Sequence, residues 1–427
     1  DRLVDALKTG ALAVDRLAAI TFTRRAAGEL RGRLRAGIVR CLGDAGGAER
    51  TRLENALRAL PRAQVSTVHS FCARVLRENA IAAGLDPGFT APDDGDPDTP
   101  VADLWEEWAA EHFADTSHRS ALAALVGWGV QLDTIQEVAE ALAQNPDCDP
   151  GPHPAPVEAE AVWRSVRERI GAAHGELSAM LLQEDRFEAG LRVTVRRLER
   201  LSALPADARL RYLLGMRATN GNFRPPGVRF NVGVQAAYRE PRRFREIKDG
   251  LKQFLDEGLA RELSAFFAPL ASEALVEMAR FRDWARAARR DRGTLSFTDQ
   301  LYEVKLLLER PAVRERVRSA FDALLVDEFQ DTDPLMAEIF ALLSAPPGGV
   351  PVFYVGDPKQ SIYRFRRADV ETYLGRAQEL DRSGHLERIR VNFRCTAPMI
   401  RVINDIFREV FRSGPSQPQW AELVPKP

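Results

Sequence analysis

The 427-residue sequence predicts an α/β fold in which a parallel-sheet domain is interrupted by a large all-helical insertion and followed by the beginning of a second α/β domain. Three observations predict it. Apolar runs of strand length alternate with helical stretches over residues 1–85 and again from Leu295 onward. The residues between carry helical patterning, with almost no strand signal and no internal repeat. Two late apolar runs, residues 323–326 (ALLV) and 350–355 (VPVFYV), each end in a polar cluster, DEFQDTD and GDPKQS. A parallel sheet places its active residues at the carboxyl ends of its strands, so these clusters suggest a nucleotide site.

Taken in order, residues 17–22 (LAAITF) read as a buried strand. Thr23 can cap a helix running from Arg24 to about Leu42, with Glu29 too late for a capping box. A second helix is expected over about 49–60, a short strand over 64–68, and a helix from Ser70 to about Ala83. Composition shifts at Gly84, and residues 86–100 (DPGFTAPDDGDPDTP) read as a connection. Helical patterning then continues to about Arg292, interrupted by loops at 145–156 and 219–234. A last strand is expected over 386–391, ending in Asn392-Phe393-Arg394. The resulting division is 1–85 and 293–377 for the two parts of the sheet domain, 86–292 for the insertion, and 378–427 for the second domain's beginning.

Composition excludes more than it selects. Apolar residues make up 45% and charged residues 28%, ordinary for a globular protein. No apolar run approaches the roughly 20 residues that span a bilayer, and the start, DRLVDALKTG, has no apolar core of a secretory signal. The four cysteines (Cys41, Cys72, Cys148, Cys395) form no C-x-x-C pair, which points to reduced thiols in the cytoplasm rather than a zinc or iron–sulfur site. The net charge of -1 gives no hint of a polyanion partner, although a basic groove can be offset elsewhere. Arginine is abundant and lysine scarce, a bias better explained by a GC-rich genome than by phosphate binding.

The strongest single feature is LLVDEFQDTD, residues 324–333. An apolar strand delivering Asp327-Glu328 is the Walker B pattern: Asp327 would hold Mg²⁺, directly or through water, and Glu328 would orient and deprotonate an attacking water. Two adjacent acids after a strand can equally be a solvated loop; the extension Phe329-Gln330-Asp331-Thr332-Asp333 favours the site. Between Pro358 and Ala368 lie Lys359, Arg364, Arg366 and Arg367, interleaved with Tyr363 and Phe365, without one acid. That is the chemistry of a surface that grips phosphates and stacks bases.

With these motifs in view, the sequence resembles the UvrD/RecB-like helicase family, and its wording is nearest the RecB/AddA-type helicase-nuclease subunits. TFTRRAAGEL (21–30) looks like the family's TFTxxAAxEM segment, STVHSFC (66–72) like its STxHSFC, and LSFTDQL (295–301) like the LxFxDL that precedes Walker B. VGDPKQSIYRFR (355–366) is similar to the family's third motif, and VNFR (391–394) to the NFRS/NYRS motif opening the second motor domain. Five such matches in order, with Walker B, are very specific, although the helical block carries no motif of its own.

The resemblance implies a RecA-like motor domain split by the insertion, with the start of a second RecA-like domain. It implies an ATP-dependent DNA helicase acting at double-strand breaks, with ATP and Mg²⁺ as cofactors. Single-stranded and duplex DNA and a second helicase-nuclease subunit would be its partners, with no membrane. By resemblance Gln360 senses the γ-phosphate, Arg394 is the finger that neutralises charge on the transferring phosphoryl group, and Phe393 lies against adenine. A loop-surface glutamine and a core aromatic are the plainer readings of Gln360 and Phe393. Tyr363 and Phe365 would form part of a base-stacking track that Arg366 flanks, with Phe22, Thr23, His69 and Ser70 as further DNA contacts. One departure stands in the third motif, where Arg367 replaces the usual glycine and predicts an ordinary backbone or a local change of path.

A motor of this class needs a G-x-x-x-x-G-K-[ST] loop to cradle phosphates, and the 427 residues contain none. In relatives the helix leaving that loop runs through a segment like residues 3–7 (LVDAL). The expectation is therefore a fragment of a longer protein, with the loop a few residues before Asp1 and the remaining motor motifs beyond the other end. The competing expectation is a catalytically inactive DNA-binding paralogue or partner subunit. Retention of Asp327, Glu328, Gln360 and Arg394 weighs against it.

Overall fold

The apolar run at 17–22 forms strand β1 (Leu17–Thr21), and all five of its residues are buried. Such a run, apolar at nearly every position, suits a parallel strand covered on both faces. The computed structural model describes residues 2–92, 101–114, 120–218, 222–411, 417–418 and 420–426. β1 lies between β2 (Gln64–Thr67) and β3 (Ala323–Val326), and β3 pairs in turn with β4 (Val352–Tyr354). All three pairings are parallel, giving the order β2-β1-β3-β4. In register, Thr21 faces Thr67, Ile20 faces Val326, and Val326 faces Tyr354.

Alternation along the strands divides the core into two layers. Ala18, Ile20, Leu324 and Val326 point to one side, against Phe71, Leu307 and Phe340. Those residues come from the helices Val68–Glu78, Phe297–Glu309 and Pro334–Ser344. Leu17, Ala19 and Leu325 point to the other, against Leu7, Ile38 and Leu53. Those belong to the helices Arg2–Thr9, Arg24–Leu42 and Gly47–Ala59. The expected α/β fold with a parallel sheet is thus observed. The chain separates into two compact units, one comprising Asp1–Pro100, Gln144–Asp147 and Ala285–Pro427, the other Val101–Ala143 and Cys148–Trp284.

The second unit is helical. Its core gathers Trp163, Ile170, Phe187, Leu198, Leu213 and Phe244. Asp185 anchors it locally: Oδ1 accepts the N–H groups of Phe187 and Glu188 and the Tyr238 hydroxyl (2.8 Å), and Oδ2 accepts the Val234 N–H. One carboxylate therefore caps the Arg186–Leu201 helix and ties down the 234–238 loop.

Several sequence expectations need adjustment. The helix expected from Ser70 begins at Val68, because Thr67 supplies the cap by accepting the Ser70 N–H, and it breaks at Asn79 before a short turn at Ala80–Ala83. The strand expected over 386–391 shrinks to β5 (Val391–Asn392), paired in parallel with β6 (Val424–Pro425). The residues before β5 are exposed, Ile389 strongly so, and among the described residues no strand flanks them. Of the connection expected over 86–100, residues 93–100 lie outside the described residues. Among the described residues, no helix is long and apolar enough to cross a membrane.

Candidate nucleotide and nucleic-acid site

Because the four strands of the main sheet run in parallel, their carboxyl ends share one edge. In sheet order they deliver His69 and Ser70, then Phe22 and Thr23, then Asp327 and Glu328, then the loop from Gly356 to Gln360.

At the end of β3 the Asp327 N–H donates to the Ile20 carbonyl (2.9 Å), extending the ladder by one residue. Glu328 then leaves the strand in the left-handed region (φ 54°, ψ 42°). A non-glycine residue there costs about 1–2 kcal/mol. The turn is held by the Phe329 N–H donating to the Val355 carbonyl (2.9 Å) and by the Phe329 ring against Tyr354 (4.4 Å between centroids). One Asp327 oxygen accepts the Glu328 N–H (3.1 Å). Burial, and then the neighbouring Glu328 charge, push the Asp327 carboxyl above its ordinary range. The same two causes push Asp331 up to about 6.

The Glu328 carboxylate is exposed, and its Oε2 accepts from Gln330 Nε2 (2.7 Å). Gln330 is 2% exposed, and its Oε1 accepts the Asp357 N–H (2.9 Å). Asp357 in turn accepts from Lys359 Nζ (2.7 Å) and Gln360 Nε2 (3.1 Å). Burial raises the Asp357 carboxyl, but these donors more than offset it and hold it below the usual carboxylate range. Glu328 and Gln360 thus stand at the two ends of one hydrogen-bonded chain. Sequence reasoning missed Gln330 as its middle member; the only signal was its place in the DEFQD wording.

The aromatic residues converge beside this chain. The Phe22 ring stacks on Tyr363 (5.5 Å, 24° between planes), and Tyr363 tilts against Phe365 (5.8 Å). The Arg366 guanidinium lies 5.6 Å and 5.9 Å from the centroids of Tyr363 and Phe365. Phe365 is 78% exposed, so its face is open rather than part of a core. Thr23 spends its hydroxyl oxygen on the Ala26 N–H as a helix cap (3.1 Å), and the Ser70 hydroxyl accepts from Thr67 (3.0 Å). The His69 ring meets the edge of Phe297 (4.8 Å), a contact the sequence did not announce.

Arg367 corrects an expectation. Its backbone is not ordinary: it adopts φ 67°, the conformation that glycine would take freely. The arginine is held there by an ion pair with Asp147 (2.5 Å) and by its N–H donating to the Arg364 carbonyl (3.0 Å).

The segment after β5 is shaped by Asn392, whose Oδ1 accepts the N–H groups of Arg394 (2.9 Å) and Cys395 (2.8 Å). Phe393 is 71% exposed and faces Lys426 (5.8 Å), so it is no core aromatic. The Arg394 side chain is exposed. Among the described residues no hydrogen bond or ion pair joins it to Asp327, Glu328 or Gln360.

A divalent cation fits the acid pair. Neither Asp327 nor Glu328 has an Arg or Lys ion-pair partner among the described residues, which leaves two adjacent carboxylates without a paired cation. No group of three or more His, Cys, Asp or Glu that could hold a metal exists among the described residues. The donor set is therefore one or two carboxylates, which suits Mg²⁺ completed by water and phosphate oxygens.

A parallel sheet with an acid pair at one strand end, a glutamine loop at the next and exposed aromatics alongside defines a nucleotide-driven nucleic-acid motor. The family model described as the UvrD/REP helicase N-terminal domain matches residues 1–381, and the chain belongs to that family. It is similar to an ATP-dependent helicase/nuclease subunit, of AddA type, from Desulforudis audaxviator, with 28% identity over 96% of this chain and 37% of that protein. The proteins of the same description from Desulfitobacterium hafniense and Oceanobacillus iheyensis are 25% and 24% identical, over 94% and 93% of this chain. The chain spans about a third of the length of these curated relatives (33–37%).

Proposed function

We propose that this chain supplies motor elements of an ATP-dependent DNA helicase or translocase of the RecB/AddA type, acting in the cytoplasm on broken duplex DNA in double-strand break repair and recombination. The observation that carries the proposal is the hydrogen-bonded chain Glu328–Gln330–Asp357–Gln360 beside the Phe22–Tyr363–Phe365 aromatic track, both at the carboxyl edge of one parallel sheet. Residues 1–85 and 293–377 would form the first RecA-like motor domain, 86–292 its helical insertion, and 378–427 the beginning of the second domain.

In this reading Glu328 takes the proton of the water that attacks the terminal phosphoryl group of ATP. Gln360 senses that group and passes its state to the DNA track. Asp327 would hold Mg²⁺, which when bound neutralises charge on the phosphates. Phe393 would offer adenine a stacking face, and Arg394 would face the transferring group, a role worth about 10³–10⁵ in rate. On the DNA side Tyr363 and Phe365 stack bases while Arg366, Thr23, His69 and Ser70 meet the strand. A second helicase-nuclease subunit would complete the assembly.

The test is Glu328→Gln in the full natural protein. ATP turnover should vanish while nucleotide-dependent DNA binding persists, measured by phosphate release and by fluorescence anisotropy. Turnover near the wild-type level would overturn the assignment.

A further inference from the structure

We propose that Gln330 is a positioning residue that sets the Glu328 carboxylate for water activation and ties it to the loop carrying Gln360; this rests on the assignment of Glu328 above. The first observation is the chemistry of its two hydrogen bonds. Oε1 faces a backbone N–H, that of Asp357, which can only donate. Nε2 faces the Glu328 carboxylate, which when ionised can only accept. The amide orientation therefore has one solution, and no other side chain of similar size offers a donor and an acceptor at the same spacing. The second is burial: a glutamine 2% exposed with both ends satisfied is a fixed strut rather than a mobile surface group.

Three further contacts show the surroundings built around this strut. The Ser361 hydroxyl donates to the Gln330 carbonyl (3.1 Å), so the loop grips both its side chain and its backbone. Gly356 permits the approach: a Cβ there would stand 2.7 Å from Gln330 Oε1 and 3.1 Å from the Phe329 nitrogen. The Tyr373 hydroxyl donates to the Gly356 carbonyl (3.1 Å) and fixes the glycine from the far side. Glu328 itself sits at positive φ, where its side chain direction is set by the turn that Gln330 helps to close. With Oε2 engaged by Gln330, the other carboxylate oxygen is left to accept a proton. A shift of Gln360 moves Asp357, whose N–H holds Gln330, and so the strut couples sensing to the base in both directions.

The titratable groups around position 330 are Asp327, Glu328 and Asp331 on its own segment, Asp357 and Lys359 on the facing loop, and Tyr373 from the Val370–Arg382 helix. This supplies a test that a purely structural role would not pass. In Gln330→Glu, the introduced carboxyl can donate to Glu328 only when protonated; once ionised it repels Glu328 and loses the bond. Its turnover relative to wild type should therefore fall as pH rises from about 6 to about 8.5. Gln330→Met keeps the volume and removes both bonds; we expect kcat to drop at least about tenfold, with KM for ATP within twofold of wild type. Combining it with Glu328→Gln should cost nothing beyond Glu328→Gln alone.

These measurements use the full natural protein with DNA-stimulated phosphate release. Hydrogen exchange on the 427-residue chain adds a readout independent of turnover: in Gln330→Met the peptide covering 355–361 should lose protection while β1 and β3 keep theirs. If Glu328→Gln is inactive but Gln330→Met keeps kcat within twofold of wild type, the positioning role is overturned while the Glu328 assignment stands. If Glu328→Gln turns over normally, both fall together. Should Gln330→Met fail to fold, the pH dependence of Gln330→Glu decides, and a ratio flat with pH overturns the proposal.

Discussion

Glu328 and Arg367 are the two non-glycine residues held at positive φ among the described residues, and both flank the candidate site. Such strain persists only where the surroundings over-determine it. For Arg367 the restraint is the Asp147 ion pair, so the two effects can be separated. Arg367→Ala loses the pair and keeps the strain, whereas Arg367→Gly loses the pair and relieves the strain. We expect the glycine variant to exceed the alanine variant in unfolding free energy by about 1 kcal/mol in denaturant melts. Asp331 offers a second residue-scale prediction. Its carboxyl is raised to about 6 in the fold, by burial first and the Glu328 charge second. Against an unfolded value of about 4, the folded state holds the extra proton between those values, so stability falls as pH rises from about 4 to about 6 and is flat beyond. Asp331→Asn removes that loss. Its Tm advantage over wild type should be near zero at about pH 4 and should grow to a plateau by about pH 7, read by thermal melts.

At the scale of elements, the segment LSFTDQL owes its order to a staple rather than to contact with the acid pair. Ser296 caps the Phe297–Glu309 helix in a reciprocal capping box with Asp299. The same Asp299 carboxylate receives Arg289 in a bidentate pair at 2.6 Å and 2.8 Å, with both residues 1–2% exposed. Removing one partner of a buried pair leaves the other charge uncompensated, typically at a cost of about 3–5 kcal/mol. Arg289→Met should therefore lower unfolding stability by an amount of that order, measured by equilibrium denaturation, whereas changing the exposed Arg25–Glu29 pair should do almost nothing. The family wording in this stretch was legible, but its function as a structural anchor was not. The anchoring partner, Arg289, stands in the preceding helix, where the sequence shows one more arginine among many.

At the scale of the molecule, β1 and β3 lie side by side although some three hundred residues separate them, and the motifs become one site only through that pairing. The 427 residues contain no G-x-x-x-x-G-K-[ST], so the chain by itself should hydrolyse ATP negligibly; DNA-stimulated phosphate release from it would contradict this. The α/β class, the strands at 17–22, 64–68 and 323–326 and the acid pair could all be read in sequence. Periodicity and strand-end chemistry are local, and neighbouring residues suffice to express them. The partners of those residues could not. Gln330 as the link between Glu328 and Asp357, Phe22 stacked on Tyr363, and Arg367 held in a glycine conformation by Asp147 all depend on groups brought together from distant parts of the chain. Sequence by itself determined which chemistry this protein carries and at which strand ends. Tertiary structure decided which groups touch, because hydrogen bonds and ring contacts act over a few ångströms and only the closed sheet brings those ends within that reach.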